Sequence, residues 1–289
     1  MSKTILITGA TDGIGLLAAR KLAEAGHHIV VHGRNKDRLA SVSQQLDGAP
    51  AYLADFSDMA EVTAMAEAVI GAHKQIDVLI NNAGILKTAE TETRAGRDIR
   101  FDVNMLAPYI LTRLLLPVIP AAGRVINLSS AAQAPVDIAA MMRFQPMPDM
   151  SAYAQSKLAI TIWSQELARQ LPDGPVMVAV NPGSLLATKM VKEGFGIDGK
   201  DLNIGADILI RAALSAEFGE AGGRYFDNDS GQFAPPHEAA EDTAHVTAVM
   251  DGLRALADEV IGVMRSYGWL AHGRVWRGVI NQPETGMAG

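Results

Sequence analysis

Short apolar runs alternate with stretches of helical periodicity along the whole chain, and that alternation restricts the possible folds more than any other feature. Strands separated by helices pair through crossovers rather than hairpins, so the expected product is a parallel, doubly wound sheet with helices on both faces. The runs at 3–8, 28–32, 50–54, 77–80, 124–128, 176–181 and 222–226 are expected as strands, about seven in all. Helices are expected at 13–25, 36–47, 58–73, 96–118, 152–171, 201–216 and 238–265. No repeat or low-complexity linker divides the 289 residues, so one α/β domain is expected over 1–266, with 267–289 as a C-terminal extension. In such sheets ligands bind beyond the carboxyl ends of the strands, near the point where strand order reverses. Gly9, Asn81, Ser130 and Pro182 fall at or just past those ends.

The first strand runs directly into TGATDGIG, where Gly9, Gly13 and Gly15 are spaced G-x-x-x-G-x-G. Glycines at a strand-to-helix turn permit positive φ and close backbone approach, and the helix N-terminus offers free N–H groups to a phosphate. The spacing is neither the G-x-G-x-x-G fingerprint nor a P-loop. Taken alone, it fits a tight connection as well as a nucleotide site.

Further on, SAYAQSK opens a segment in which Leu158, Ile162, Leu167 and Leu171 recur at roughly helical spacing. Tyr153 and Lys157 are four residues apart, which places phenol and ammonium on one helical face. A free tyrosine titrates near pH 10 and is a poor base at neutrality. A fixed cation beside it favours phenolate, and bringing the pKa down by about 2–3 requires roughly 3–4 kcal/mol. The spacing by itself is also common on helix surfaces.

Six motifs in order give these signals a shared meaning: TGATDGIG (8–15), NNAG (81–84), FDVNMLAP (101–108), RVINLSS (124–130), YAQSK (153–157) and NPG (181–183). Together they resemble the short-chain dehydrogenase/reductase family in its TGxxxGxG branch, and are similar to its retinol-dehydrogenase-like members. The resemblance implies a Rossmann-type fold, a nicotinamide dinucleotide cofactor and hydride transfer between nicotinamide and a carbinol or carbonyl carbon. It implies that Gly9, Thr11, Asp12, Gly13, Ile14 and Gly15 hold the pyrophosphate, with Ile14 contributing its backbone N–H. Asp55, with Phe56 beside it, matches the carboxylate that accepts from the adenine amino group; a helix N-cap there better fits Ser57 or Asp58. Asn82, Ala83 and Gly84 are expected along the adenosine ribose, while Asn81 braces neighbouring strands.

By the same resemblance Tyr153 is the general acid or base and Ser130, rather than Ser129, polarises the substrate oxygen. Lys157 lowers the tyrosine pKa and bonds the nicotinamide ribose. Asn104 lies within an expected helix, where asparagine is unfavourable; its counterpart holds a water that links the lysine to solvent, and a satisfied interior amide is the other reading. Pro182, Gly183 and Thr188 complete the nicotinamide side, although Thr188 stands one residue further from Pro182 than is usual.

Cofactor choice rests on the end of the second strand, HHIVVHGRN. NAD-linked relatives usually place an aspartate at the Gly33 position, where it bonds the ribose hydroxyls and repels a 2′-phosphate. Here glycine leaves space, and Arg34 offers a planar donor fork suited to phosphate. NADP(H) is therefore the expected preference, with NAD(H) also usable. Against it stand an ordinary solvated arginine near Lys36 and Arg38, and the acidic Asp12 where a basic or hydroxyl residue is common; Thr11 can supply the hydroxyl.

Twenty-two residues separate Ser130 from Tyr153, a longer interval than in many relatives. The added stretch carries Met141, Met142, Phe144, Met147 and Met150 among three prolines, and is expected to wall an apolar substrate pocket. A self-packed surface loop is the alternative. The substrate class expected is therefore a small apolar carbonyl compound or alcohol.

Composition narrows the partners. Net charge is −7 with scattered Lys and Arg, so no nucleic acid is expected. With no cysteine and dispersed histidines, neither thiolate chemistry nor a metal site is expected. No G-x-S-x-G elbow is present, which argues against a hydrolase serine. Neither a secretory leader nor a membrane span is expected, and the cytoplasm is the default location. A homo-oligomer is compatible with the sequence, as is a role for Trp269 and Trp276 in anchoring the tail. A cofactor-binding sensor without turnover is the competing class, but it has no need of the complete set Asn104, Ser130, Tyr153 and Lys157.

Overall fold

In the computed structural model, which describes residues 1–266, the apolar runs assemble into one sheet of eight strands. They are β1 (Thr4–Ile7), β2 (His28–Gly33), β3 (Ala51–Leu53), β4 (Val78–Asn81), β5 (Arg124–Leu128), β6 (Val176–Asn181), β7 (Tyr225–Asp227) and β8 (Gln232–Ala234). Their order across the sheet is β3-β2-β1-β4-β5-β6-β7-β8. All pairs are parallel except β7 with β8, the strand beyond the expected seven. Gly231, with φ of 72°, allows the tight turn between these last two. Strand order reverses between β1 and β4, which fixes where the crevice opens.

Side chains on successive strand residues point to opposite faces, and the core divides accordingly. Leu6, Val30, Leu79, Val125 and Met177 enter one buried cluster, while Ile5, Ile7, Val78, Ile80, Ile126 and Val178 enter the other. The first face is covered by α3 (Met59–Ala72), α5 (Ala107–Leu115), α7 (Asp149–Gln170) and α10 (Thr243–Ser266). The second is covered by α1 (Gly13–Glu24), α2 (Lys36–Gln45) and α9 (Leu202–Leu214). Short-range chemistry sets the helix starts: Asp12, Asn35 and Asp58 each accept a backbone N–H at the N-termini of α1, α2 and α3.

Several boundaries differ from the sequence expectation. The helix expected over 96–118 starts with α4 (Ile99–Phe101), widens into a π turn at Asp102–Leu106 and continues as α5. Helix α7 begins at Asp149, three residues early, because the Asp149 carboxylate accepts from the buried Arg100 guanidinium. Arg100 is in turn held by both oxygens of Asp98, at 2.7 and 2.6 Å. Two short helices were not foreseen: α6 (Ile138–Met142) and α8 (Lys189–Phe195). The stretch Ile99–Val118 is long and apolar enough to cross a membrane by length and composition, and 72% of its most apolar window is buried inside the fold. A helix was expected here, and the expectation of no span rested on uninterrupted apolar runs, which Arg100, Asp102 and Arg113 break. The extension 267–289, with Trp269 and Trp276, lies outside the described residues.

Candidate active site

A cavity of about 620 Å³ opens across the carboxyl ends of the strands, from β3 at one side to β6 at the other. All seventeen residues expected to bind cofactor, Tyr153 and Lys157 among them, line it, as does Ser130. Asn104 does not.

One half of the cavity is made chiefly of backbone. Thr8, just past β1, accepts the N–H groups of Asn82 and Ala83 on its hydroxyl, both at 3.0 Å. Asn82 returns its amide N–H groups to the carbonyls of Thr8 and Gly9 at 2.8 and 3.0 Å. The ends of β1 and β4 are thereby laced together. Gly9 has φ of 63°, and a Cβ there would lie 2.8 Å from Ala83 Cα, so the turn admits no side chain. The result is a glycine cradle with the N-terminus of α1 facing the cavity, and it fits a pyrophosphate group.

His32 completes this half and escaped the sequence reading. Its ring is buried and stacks on Phe56 with centroids 4.1 Å apart at 13°. Nδ1 accepts the Gly9 N–H at 3.2 Å, and Nε2 donates to the Ala54 carbonyl at 2.9 Å. The imidazole thus ties the glycine turn to the end of β3, and burial pushes its pKa down to about 4. A polar residue in the apolar strand HIVVHG was the available signal.

Asp55 and Phe56 sit beside it. One Asp55 carboxylate oxygen accepts from the Ser57 N–H and hydroxyl at 2.9 and 2.8 Å, and Asp58 is the cap of α3. Gly33 does not leave open space. A Cβ there would meet the Thr11 methyl at 2.4 Å, so Thr11 already covers the position where an aspartate was considered. Arg34 lines the cavity and makes no ion pair among the described residues. Asp12 caps α1 and pairs with Arg38 at 3.2 Å, so a cation lies beside its charge. Both partners are exposed, and such a pair contributes little to stability.

The other half is built from side chains on α7 and on the segments after β5 and β6. Lys157 is buried, donates to the Leu128 carbonyl at 2.7 Å and lies 5.6 Å from the centre of the Tyr153 ring. The Ser130 hydroxyl stands close enough to the Tyr153 phenol to draw its pKa down against burial. Its neighbour Ser129 also borders the cavity, but its buried hydroxyl is bonded to Thr161 and the Lys157 carbonyl, which leaves the Ser130 hydroxyl as the one of the pair open to a substrate.

The electrostatics differ from the sequence expectation. Burial raises the Tyr153 pKa above its ordinary value, opposed by the Ser130 hydrogen bond, and lowers that of Lys157 to about 8. Desolvation penalises the charged form of both groups and outweighs the attraction expected between them.

Asn104 differs too. Its side chain accepts the Ile85 N–H at 2.8 Å and donates to the Ile85 carbonyl and the Ser156 hydroxyl at 2.9 and 3.0 Å. Both amide hydrogens are used within the protein. The π turn carries Asn104 to this brace between the β4 exit and α7. Asn81 braces as expected, donating to Thr112 and Asn127 at 3.0 and 2.8 Å.

Beyond β6, Pro182 and Gly183 line the cavity. Thr188 caps α8 by accepting the Val191 N–H at 3.2 Å, and its methyl lies 3.7 Å from where a Gly13 Cβ would stand. Helix α8 adds Met190 and Val191 to the cavity wall. The Met-rich insertion contributes less than expected. Met150 lines the cavity, whereas Met141 is buried in the core and, with Met142, packs against α10 at Gly252. Phe144 does not line the cavity, and its N–H binds the Gly96 carbonyl. The insertion is largely self-packed because α10 gives its methionines an apolar surface to bury.

Residues 3–195 match the family described as short chain dehydrogenase. Human retinol dehydrogenase 13 is 30% identical over 272 residues, covering 83% of this chain and 80% of its own. A Burkholderia cenocepacia short chain dehydrogenase solved with NADP superposes with a TM-score of 0.62 at 25% identity, covering 78% of this chain and 95% of that one. The 3-ketoacyl-(acyl-carrier-protein) reductase of Brucella melitensis, solved with NADH, gives 0.62 at 25% identity, covering 78% and 96%. With the fold, the glycine cradle and these relatives agreeing, the chain belongs to the short-chain dehydrogenase family, as a nicotinamide-dependent oxidoreductase acting on an alcohol or carbonyl group.

Proposed function

We propose that the protein is an NADP(H)-preferring reductase and dehydrogenase for an apolar alcohol and its aldehyde or ketone. The observation that carries this reading is the meeting of Tyr153, Ser130 and Lys157 at one end of a cavity whose neighbouring walls are Ile85, Leu86, Val103, Met150 and Leu185. Bound NADPH or NADP⁺ supplies or accepts the hydride; proton handling and placement fall to the protein.

Ser130 accepts the Ala132 N–H on its hydroxyl oxygen at 3.1 Å, and its own proton, turned toward the Tyr153 phenol, is the donor that a substrate oxygen placed between the two would meet. Tyr153, with a raised pKa, holds its proton at neutral pH and is suited to donate it to a carbonyl oxygen as negative charge develops there. Lys157 is fixed by Leu128 one helical turn away and supplies a cation for the phenolate left behind. The apolar walls favour a substrate with an apolar body. Arg34 is the group available for a 2′-phosphate, and Asp12 raises less of an objection once Arg38 stands beside it.

The experiment is a screen of aldehydes, ketones and alcohols of graded size, followed by reduced-nicotinamide absorbance with each cofactor. Turnover of apolar carbonyl compounds with NADPH, faster than with NADH, is the expected result. Turnover confined to strongly polar substrates would overturn the substrate assignment.

A further inference from the structure

We infer that Tyr225 and Gln133 are positioning residues for Ser130, an inference that rests on the function proposed above. Ser130 lies two residues past the end of β5, outside any helix or strand, so no ladder of hydrogen bonds fixes the peptide that carries it. Other groups do so. The Ser130 carbonyl accepts from the Gln133 side-chain N–H at 2.9 Å and from the Tyr225 hydroxyl at 3.1 Å. Gln133 is itself held by its other end, where its carbonyl oxygen accepts the His237 N–H at 3.0 Å.

Tyr225 belongs to β7 and is buried, with its backbone in register against β6. Burial, and next the nearby Asp227 charge, keep its phenol well above the ordinary range, so it is a donor at neutral pH. Two donors on one carbonyl oxygen fix the plane of the peptide after Ser130. With the Ala132 N–H on the hydroxyl oxygen, they fix the direction in which that hydroxyl points. The catalytic serine is thereby oriented by Gln133, its near neighbour in sequence, and by Tyr225 from the last quarter of the chain. Neither Tyr225 nor Gln133 is among the residues lining the cavity, so each acts through Ser130 rather than on substrate.

Small misplacement of a reacting group costs large factors in rate. Tyr225→Phe removes one of the two donors and leaves the ring. In the full-length protein, with NADPH and a carbonyl substrate accepted in the screen, it is expected to lower kcat about tenfold, with KM and NADPH affinity within about twofold of the unmodified values. Gln133→Leu is expected to do the same and carries the test if Tyr225→Phe fails to fold. The decisive measurement is the pair in combination. In Ser130→Ala, where the oriented hydroxyl is gone, adding Tyr225→Phe should bring no further loss. A second tenfold loss in that background would show a general structural role and overturn the inference, as would unchanged kcat in both single variants. Absence of turnover by the unmodified protein with every carbonyl compound would overturn the proposed function and this inference together. Turnover that both variants leave intact overturns the inference alone.

Discussion

The two halves of the cavity solve different problems by different means. Around the glycine turn, contacts are made by backbone atoms and by side chains that each bond two backbone groups: Thr8 and Asn82 lace β1 to β4, and His32 clamps Gly9 to Ala54. Around Tyr153 the walls are apolar side chains from segments distant in sequence, including Met150, Leu185 and Met190. The first half reads a constant chemical group, and a shift of one backbone atom removes it. The second accommodates an apolar body, where contacts are individually weak and substitution changes shape more than existence.

The sharpest break between the halves should come from Tyr153→Phe. It is expected to lower turnover by at least about 10²-fold, the scale of a positioned proton donor, while NADPH affinity by fluorescence titration stays unchanged. Near-normal turnover would remove the catalytic assignment of the substrate half.

A second effect of similar size belongs to the dinucleotide half and to pH. His32 has an ordinary pKa of 6.5 and a folded-state value of about 4, so the folded protein refuses a proton that the unfolded chain accepts. Stability should therefore fall as pH drops from about 6.5 to about 4 and level off below. This group alone contributes about 3 kcal/mol of that loss, at about 1.36 kcal/mol per pH unit. Denaturant melts across this range should show a shallower acid limb in His32→Gln, and an identical limb would mean that other groups carry it.

Arg34→Ala comes next. It is expected to weaken NADPH binding at least about tenfold and to spare NADH, since a charge-assisted contact is worth roughly 1.5–3 kcal/mol. Equal affinities for the two cofactors in the unmodified protein, titrated at physiological salt, would mean that Arg34 does not select between them.

The smallest effect separates the cavity wall from the insertion behind it. Met150→Ala should raise KM for bulky apolar substrates by a few-fold, about 1 kcal/mol or less for one trimmed side chain at an open wall. Met142→Ala should leave KM unchanged within error, because Met142 packs on α10. Equal effects of the two would place the whole insertion at the substrate.

What could be read in advance followed from local rules. Short apolar runs, helical periodicity and the spacing of Gly9, Gly13 and Gly15 are properties of a few consecutive residues, and they carried the sheet, its parallel strands and the side on which ligands bind. The spacing of Tyr153 and Lys157 fixed their shared helical face in the same way. The roles of neighbours across the fold were not legible. Nothing in HIVVHG states that its last histidine will bridge Gly9 and Ala54, and nothing in AAMMRF states that α10 will bury Met141. Nor could the electrostatics of Tyr153 be read from the lysine four residues on, because burial acts on both groups and depends on everything packed around them. Sequence determined the elements, their order and the chemical groups at the strand ends, since these depend on covalent geometry and short-range periodicity. Only the tertiary structure decided which groups lose water and which donors converge on Ser130, since desolvation and long-range hydrogen bonds exist only once distant segments meet.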